Sequence, residues 1–169
     1  MPHAEAELDA LQRTIDESAA AADGFLRETF DLAGHGLSAR QLARYFDGNR
    51  GFALATVTAK GEPRVAPVGA ILHRAAFHVP TALQARRVTH IRKRPAVSLT
   101  HFVLDDIAVI VHGRASLLEK TDPETAVLDA LYDDEWWRGL RTTGAAVWIR
   151  IEPRRIYTWA ARPAEYRSS

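Results

Sequence analysis

Residues 52–68 read Phe-Ala-Leu-Ala-Thr-Val-Thr-Ala-Lys-Gly-Glu-Pro-Arg-Val-Ala-Pro-Val. Phe52 to Thr58 is short, alternating and partly β-branched, which is the pattern of a strand with one buried face. Lys60-Gly61 supplies a turn, and the chain returns as a second strand from Val65 to Leu72. Pro67 and Gly69 inside that strand place it at an edge or a bulge, because proline gives no N–H to a ladder. Ala75 to Val79 makes a third strand. Tight turns between three such runs predict an antiparallel meander rather than a βαβ unit.

Downstream, Thr81 and Gln84 have capping-box spacing and predict a helix starting there. It must end before Pro95, since the residue preceding proline disfavours helix. Ala96–Phe102 and Ile107–Leu118 read as strands, the latter interrupted by Gly113. Asp122-Pro123-Glu124 is a helix start, with Asp as N-cap and Pro in the first turn. Helix continues through Val127, Leu128 and Leu131, and again from Asp134 to Leu140. Ala145–Ile151 is a last strand, kinked at Pro153 and resuming through Ile156–Trp159.

Upstream, Leu8, Leu11, Ile15, Ala19, Ala22, Leu26 and Phe30 recur at steps of three and four, the stripe of one long amphipathic helix ending at Gly34-His35-Gly36. Ser38 and Gln41 mark a second, short helix, with Leu37 and Leu42 as its hydrophobic staple. The sum is a mainly β chain: a six-stranded antiparallel split β-barrel with accessory helices. Residues 1–47 form an N-terminal helical extension, 48–162 the barrel domain and 163–169 a flexible tail.

The chain has 169 residues, no cysteine, and 22 Lys and Arg against 21 Asp and Glu. Disulfides, thiol nucleophiles and cysteine-ligated clusters are excluded. No apolar run reaches the ~18 residues of a membrane span. Met1-Pro2-His3 opens no signal-peptide pattern, so a cytoplasmic protein is expected. The charges are unevenly placed. From Pro63 to Leu104 there is no acid, but there are Arg64, Arg74, Arg86, Arg87, Arg92, Lys93 and Arg94, with His73, His78, His90 and His101. Such a block is either a solvated basic face or an anion site.

Phosphate loops, dinucleotide fingerprints, zinc-protease helices and nucleophile elbows are all missing. His101 and His112 can meet across adjacent strands but lack a third metal ligand, so no metal is expected. The histidines at 73, 78, 101 and 112 read best as hydrogen-bonded barrel-wall residues. Asp105-Asp106 and Asp133-Asp134 fall at turns or helix starts, where Asp caps. No aromatic residue interleaves with the arginines, so nucleic acid is not an expected partner. No self-sufficient catalytic set is present, so catalytic residues stay unassigned. An enzyme built on this chain would use a cofactor.

Read whole, residues 52–68 resemble the opening hairpin of the pyridoxamine 5′-phosphate oxidase-like family, the flavin-binding split barrels. Val79-Pro-Thr81 with Ala85-Arg-Arg-Val88 resembles the family's turn and phosphate-binding helix. Arg94-Pro-Ala-Val-Ser-Leu99, Val111-His-Gly-Arg-Ala115, and Trp148-Ile-Arg-Ile-Glu-Pro153 with Ile156-Tyr-Thr-Trp159 resemble its later strands. The resemblance spans about residues 50–160. It implies a homodimer with FMN, or a deazaflavin, at the interface. Arg64, Thr81, Arg86 and Arg87 would hold the phosphate. The backbone of Val65, Ala66, Pro67, Val68 and Gly69 would lie along the ring, with Ser98 and Thr100 on the adjoining strand.

Ala85 and Arg87 stand where the family often has Ser and Lys, exchanging a hydroxyl for a guanidinium fork. Gly69-Ala70 replaces a large aromatic and would leave room over the ring. No acidic partner for pyridoxamine is identifiable, so a pyridoxamine phosphate oxidase proper is not expected. The resemblance implies an FMN-dependent oxidoreductase acting on a small organic molecule. The alternatives are a deazaflavin-dependent reductase, favoured by the alanine- and arginine-rich composition of a high-GC bacterium, and a non-catalytic flavin or haem module. Haem is the weakest of these, since no spacing among His73, His101 and His112 demands axial ligation. Trp136, Trp137 and Trp159 are candidate dimer contacts or intrachain packing residues.

Overall fold

The computed structural model describes residues 3–132 and 134–166. Met1, Pro2, Asp133 and residues 167–169 of the expected tail lie outside them. Four helices come first: α1 (Glu5–Ala21), α2 (Gly24–Thr29), α3 (Leu32–His35) and α4 (Ala39–Tyr45). The barrel follows as β1 (Arg50–Val57), β2 (Pro63–His73), β3 (Ala76–Ala82), α5 (Arg86–Lys93), β4 (Ala96–Val103), β5 (Ile107–Leu117), α6 (Pro123–Leu131), α7 (Glu135–Thr142) and β6 (Ala146–Ala160).

All strand pairs are antiparallel, and the barrel closes in the order β1-β2-β3-β6-β5-β4, with β4 returning to β1. The six-stranded fold class expected from the sequence is the one observed. The closure is uneven. β2 pairs with β1 along Pro63–Ala70, but with β3 only from Ile71 to His73. The first half of β2 is therefore an open edge, and the barrel is split there.

One core fills the barrel and continues under the N-terminal helices. Leu54, Phe77, Val79, Leu99, Val109, Val111, Ile149 and Ile151 are buried together with Leu8, Leu11 and Ile15 of α1 and Leu42 and Phe46 of α4. Phe46 plugs the barrel end, its ring 5.0 Å from Phe52 and 5.8 Å from Phe77. The Ser38–Gln41 capping box forms as expected, and Leu37 and Leu42 are both buried.

The single long N-terminal helix does not form. Ala22 is extended, and Asp23 starts a new helix by accepting a hydrogen bond from the Leu26 N–H at 2.7 Å. Asp31 starts a third in left-handed conformation, φ 40°. Aspartate's preference for caps thus overrides an apolar period that looked continuous. The stripe also misses a polar contact. Ser18 is buried, and its Oγ accepts from the Ile156 N–H at 2.9 Å and donates to the Thr14 carbonyl.

The expected start of α5 is also corrected. Thr81 pairs with Val147 inside the β3–β6 ladder, and the helix begins at Arg86 after Ala85, which gives no side-chain cap. Pro153 does not break β6. The strand runs through, and the β5–β6 register shifts by one residue between His112 and Gly113, a β-bulge that absorbs the proline. A Cβ on Gly113 would lie 2.4 Å from the Glu152 carbonyl, which explains the glycine. The C-terminal stretch from Pro163 to Tyr166 is a 3-10 turn tied to the barrel. Pro163 O accepts from Gln41 Nε2 at 2.7 Å, and Tyr166 OH donates to Asp106 Oδ1 at 3.0 Å.

Candidate functional site

The split in the barrel opens a groove of about 860 Å³ between β1, the β1–β2 turn, the open half of β2, and α5. Its floor is Leu54 and Thr56 of β1. One wall carries Lys60, Glu62, Arg64, Val65 and Ala66, and the other Ala85, Arg86, Arg87, Thr89, His90 and Lys93. Five cations therefore face one carboxylate. Residues three and four apart share a helix face, which is why Arg86, Thr89 or His90, and Lys93 line the groove in succession.

Arg87 is the most constrained of these cations. It is half-buried, and its Nη1 donates a 2.8 Å hydrogen bond to Thr81 Oγ1, which is fully buried in β3. Burial pulls its pKa below the usual guanidinium value. Among the described residues no carboxylate pairs with Arg87 or Arg86. Arg64, in contrast, is already engaged: its guanidinium lies 2.8 Å from Glu62 Oε2 and donates to Pro63 O at 3.0 Å. Glu62 stands one residue before the acid-free block, so the charge pattern gave no sign of this pair.

Of the ten expected cofactor residues, Arg64, Val65, Ala66, Arg86 and Arg87 line the groove, and Thr81 supports Arg87 from behind. Val65, Pro67, Ser98 and Thr100 belong together on the other face of the sheet, since Ala55 pairs with both Val65 and Ser98, and Ala53 with both Pro67 and Thr100. Val68 packs against the core. Ser98 Oγ hydrogen-bonds His112 Nδ1 at 2.7 Å, and Thr100 Oγ1 donates to Val109 O at 3.2 Å. The two sets meet across the open edge of β2. The space expected beside Gly69-Ala70 is filled: Ala70 is buried, and the Asn49 amide sits where a Cβ on Gly69 would be, 2.6 Å from it.

Thr56 and His90 were missed. Thr56 Oγ1 and His90 Nδ1 are 2.9 Å apart, joining the groove floor to α5. The strand period buries Thr56 and the helix period brings His90 to the groove, but the pairing of the two is tertiary.

The other histidines divide. His101 Nδ1 lies 2.7 Å from Gly51 O, which only accepts, so Nδ1 donates and Nε2 accepts from Tyr45 OH at 2.8 Å. Both its nitrogens are used. His112 faces the opposite side of the sheet, so the two do not meet. His73 and His78 are buried, but unlike His101 and His112 they leave ring nitrogens without hydrogen-bond partners, beside Glu124 and Arg150. Among the described residues no three His, Asp or Glu side chains are gathered to hold a metal. No helix among them is long and apolar enough to cross a membrane.

The fold has many solved relatives. A conserved hypothetical protein of Mycobacterium tuberculosis, Rv2991, superposes with a TM-score of 0.62 at 21% identity, covering 81% of this chain and 93% of its own. A FAD-binding protein of Mesorhizobium loti gives 0.56 at 21%, covering 72% and 92%. An F420 reductase gives 0.52 at 17%, covering 66% and 91%. At these identities the likeness shows the fold alone. No curated protein matches the sequence. The family described as pyridoxamine 5′-phosphate oxidase matches residues 39–160, from the start of α4 to the end of β6. With that match over most of its length, and the split barrel to go with it, the chain belongs to the pyridoxamine 5′-phosphate oxidase family.

Proposed function

We propose that this chain is a flavin-dependent oxidoreductase acting as a homodimer on a small organic substrate, and that the groove receives the phosphate of FMN. The observation that carries this reading is Arg87: a half-buried cation, oriented by a buried hydroxyl, in a groove whose one carboxylate, Glu62, is paired with Arg64 instead. Burying an unneutralised charge is costly, and an incoming phosphate offsets that cost. Arg86 and Arg87 also head α5, where free backbone N–H groups favour an anion.

A bound flavin would supply hydride exchange. The chain would hold the phosphate at Arg86 and Arg87, and order Arg87 through Thr81. Along the outer face, Val65, Pro67, Ala53, Ala55, Ser98 and Thr100 form a floor of small side chains suited to a planar ring. Val65 is 67% exposed there and Phe102 of the same face 65%, apolar surface that a second copy would cover.

The test is titration with FMN and riboflavin, read by flavin fluorescence. Arg87→Ala should weaken FMN binding by roughly tenfold to more than a hundredfold, the size of one hydrogen bond to a charged group. Arg87→Lys should recover part of it, keeping charge without the fork. Riboflavin should be nearly indifferent. Equal losses for both ligands, or no FMN binding by the wild type, would defeat the assignment. A monomer by light scattering at micromolar concentration would defeat the dimer.

A second reading is a deazaflavin with a longer anionic tail. It is favoured by Lys60 and Lys93, which add positive charge to the groove beyond what one phosphate needs. Tighter binding of the deazaflavin than of FMN in the same titration would select it.

A further inference from the structure

A second cavity lies across the barrel's outer wall from β6, beneath the α6–α7 pair and the 118–120 segment. It has a volume of about 220 Å³ and adjoins a cleft of about 310 Å³ that shares Leu118, Lys120, Ala146 and Val147 and reaches Arg92 on α5. Its back wall is aromatic. Trp137 and Trp148 meet edge to face with centroids 4.8 Å apart, and both are buried.

The polar groups around this cavity are arranged in layers. Both indole N–H groups donate to the same oxygen, Asp129 Oδ1, each at 3.0 Å. The second oxygen, Oδ2, lies 3.0 Å from Arg141 Nε. The Asp129 carboxylate is thereby engaged on both oxygens and charge-compensated, and it serves to fix Arg141. The terminal nitrogens of Arg141 have no hydrogen-bond partner among the described residues. Lys120 has no carboxylate partner among them either. Its Nζ sits 3.2 Å from the Cβ position of Gly144, just past the end of α7, where helix carbonyls favour a cation.

We propose that this cavity is a second binding site, separate from the flavin groove, for a small aromatic carboxylate. An apolar cavity of about 150 Å³ is enough for one benzene ring. A cavity of about 220 Å³ therefore takes one ring with a short polar substituent. The ring packs against Trp137, Trp148, Leu118 and Val147. The carboxylate faces outward to the terminal nitrogens of Arg141, whose Nε is held by Asp129, and to Lys120. The nearest acid, Asp129, is occupied on both oxygens, and Glu119 lies only at the outer cleft, so the charge at the mouth selects an anion over a cation. The proposal does not depend on the flavin reading.

The full-length protein is titrated with benzoate, benzyl alcohol and benzylamine, read by tryptophan emission and by calorimetry. Benzoate should bind saturably, and benzyl alcohol about tenfold or more weakly, the loss of one charge-assisted hydrogen bond. Lys120→Ala and Arg141→Gln should each weaken benzoate several-fold. Ala146→Leu fills the shared mouth without touching a charge, and should abolish binding while leaving FMN affinity unchanged. Absence of saturable benzoate binding up to about 10 mM, a Kd corresponding to less than ~3 kcal/mol, would overturn the site. Benzylamine binding more tightly than benzoate would overturn the charge assignment, and unchanged benzoate binding by Ala146→Leu would overturn the location. If Arg141→Gln unfolds, Lys120→Ala and Ala146→Leu still decide.

Discussion

His78 shows how one residue ties pH to stability. It is fully buried on β3, its Nε2 3.5 Å from Glu124 Oε1, with His73 and Arg150 around it, while Arg74, Glu7 and His3 act on the neighbouring His73. Burial, and then the charges of His73 and Arg150, push its pKa down from 6.5 to about 3. His73 moves in the same direction, mainly through burial. A histidine held neutral in the fold leaves the unfolded chain to take up the proton as pH falls below about 6.5. The stabilisation is thus complete above that pH and is lost progressively between about 6.5 and 3. Urea melts should show stability falling by a few kcal/mol between pH 7 and 4. His78→Gln should flatten that slope, and parallel curves for the two proteins would show that His78 does not titrate this way. Ser18 offers a simpler case: Ser18→Ala leaves the Ile156 N–H buried without an acceptor, and denaturant melts should show a loss of about 1–3 kcal/mol. Neither residue was legible in the sequence. Ser18 sits one place from the apolar stripe, and the histidines' shared burial comes from three strands and a helix meeting.

The elements themselves were far more legible, because period and turn chemistry are local. The six strands, the Ser38 cap and the Asp122-Pro123-Glu124 start were all readable, and Asp122 Oδ1 does accept from the Glu124 N–H at 2.8 Å. Errors fell where two local rules compete. Thr81 has the spacing of a cap but a better partner in the β6 ladder, and Asp23 caps inside an apolar stripe. The bulge at Gly113 belongs to this scale. Gly113→Ala sets a Cβ against backbone that has nowhere to move, so a loss of about 1–3 kcal/mol is expected in thermal melts. The α6–α7 pair has its own small core: Leu128, Trp137, Trp148 and Ile71 are buried together. Trp137 is therefore an intrachain packing residue, whereas Trp136 is 52% exposed and Trp159 stacks on His35 at 5.9 Å.

At the scale of the whole molecule, the helices and the barrel are one packing unit. Leu8, Leu11 and Ile15 share the barrel's core, and α1 satisfies a β6 backbone amide through Ser18. Deleting residues 1–36 should therefore leave a chain that aggregates or melts well below the full protein in differential scanning; a soluble, equally stable barrel would contradict this. The groove was half-visible beforehand. Its cations stood out as an acid-free block, while Glu62, Thr56 and the division of the expected residues over two sheet faces emerge only when β1 pairs on both sides.

The open edge of β2 carries a further consequence. An unpaired strand edge is a template on which another polypeptide can add a strand, the first step of runaway assembly. Here the edge includes Pro63 and Pro67, yet the β1–β2 pairing runs through both without interruption. Their nitrogens must then point to the free side, where they offer no hydrogen to an incoming carbonyl. The barrel can stay split to admit a ligand because two prolines keep the gap from being read as an invitation to polymerise.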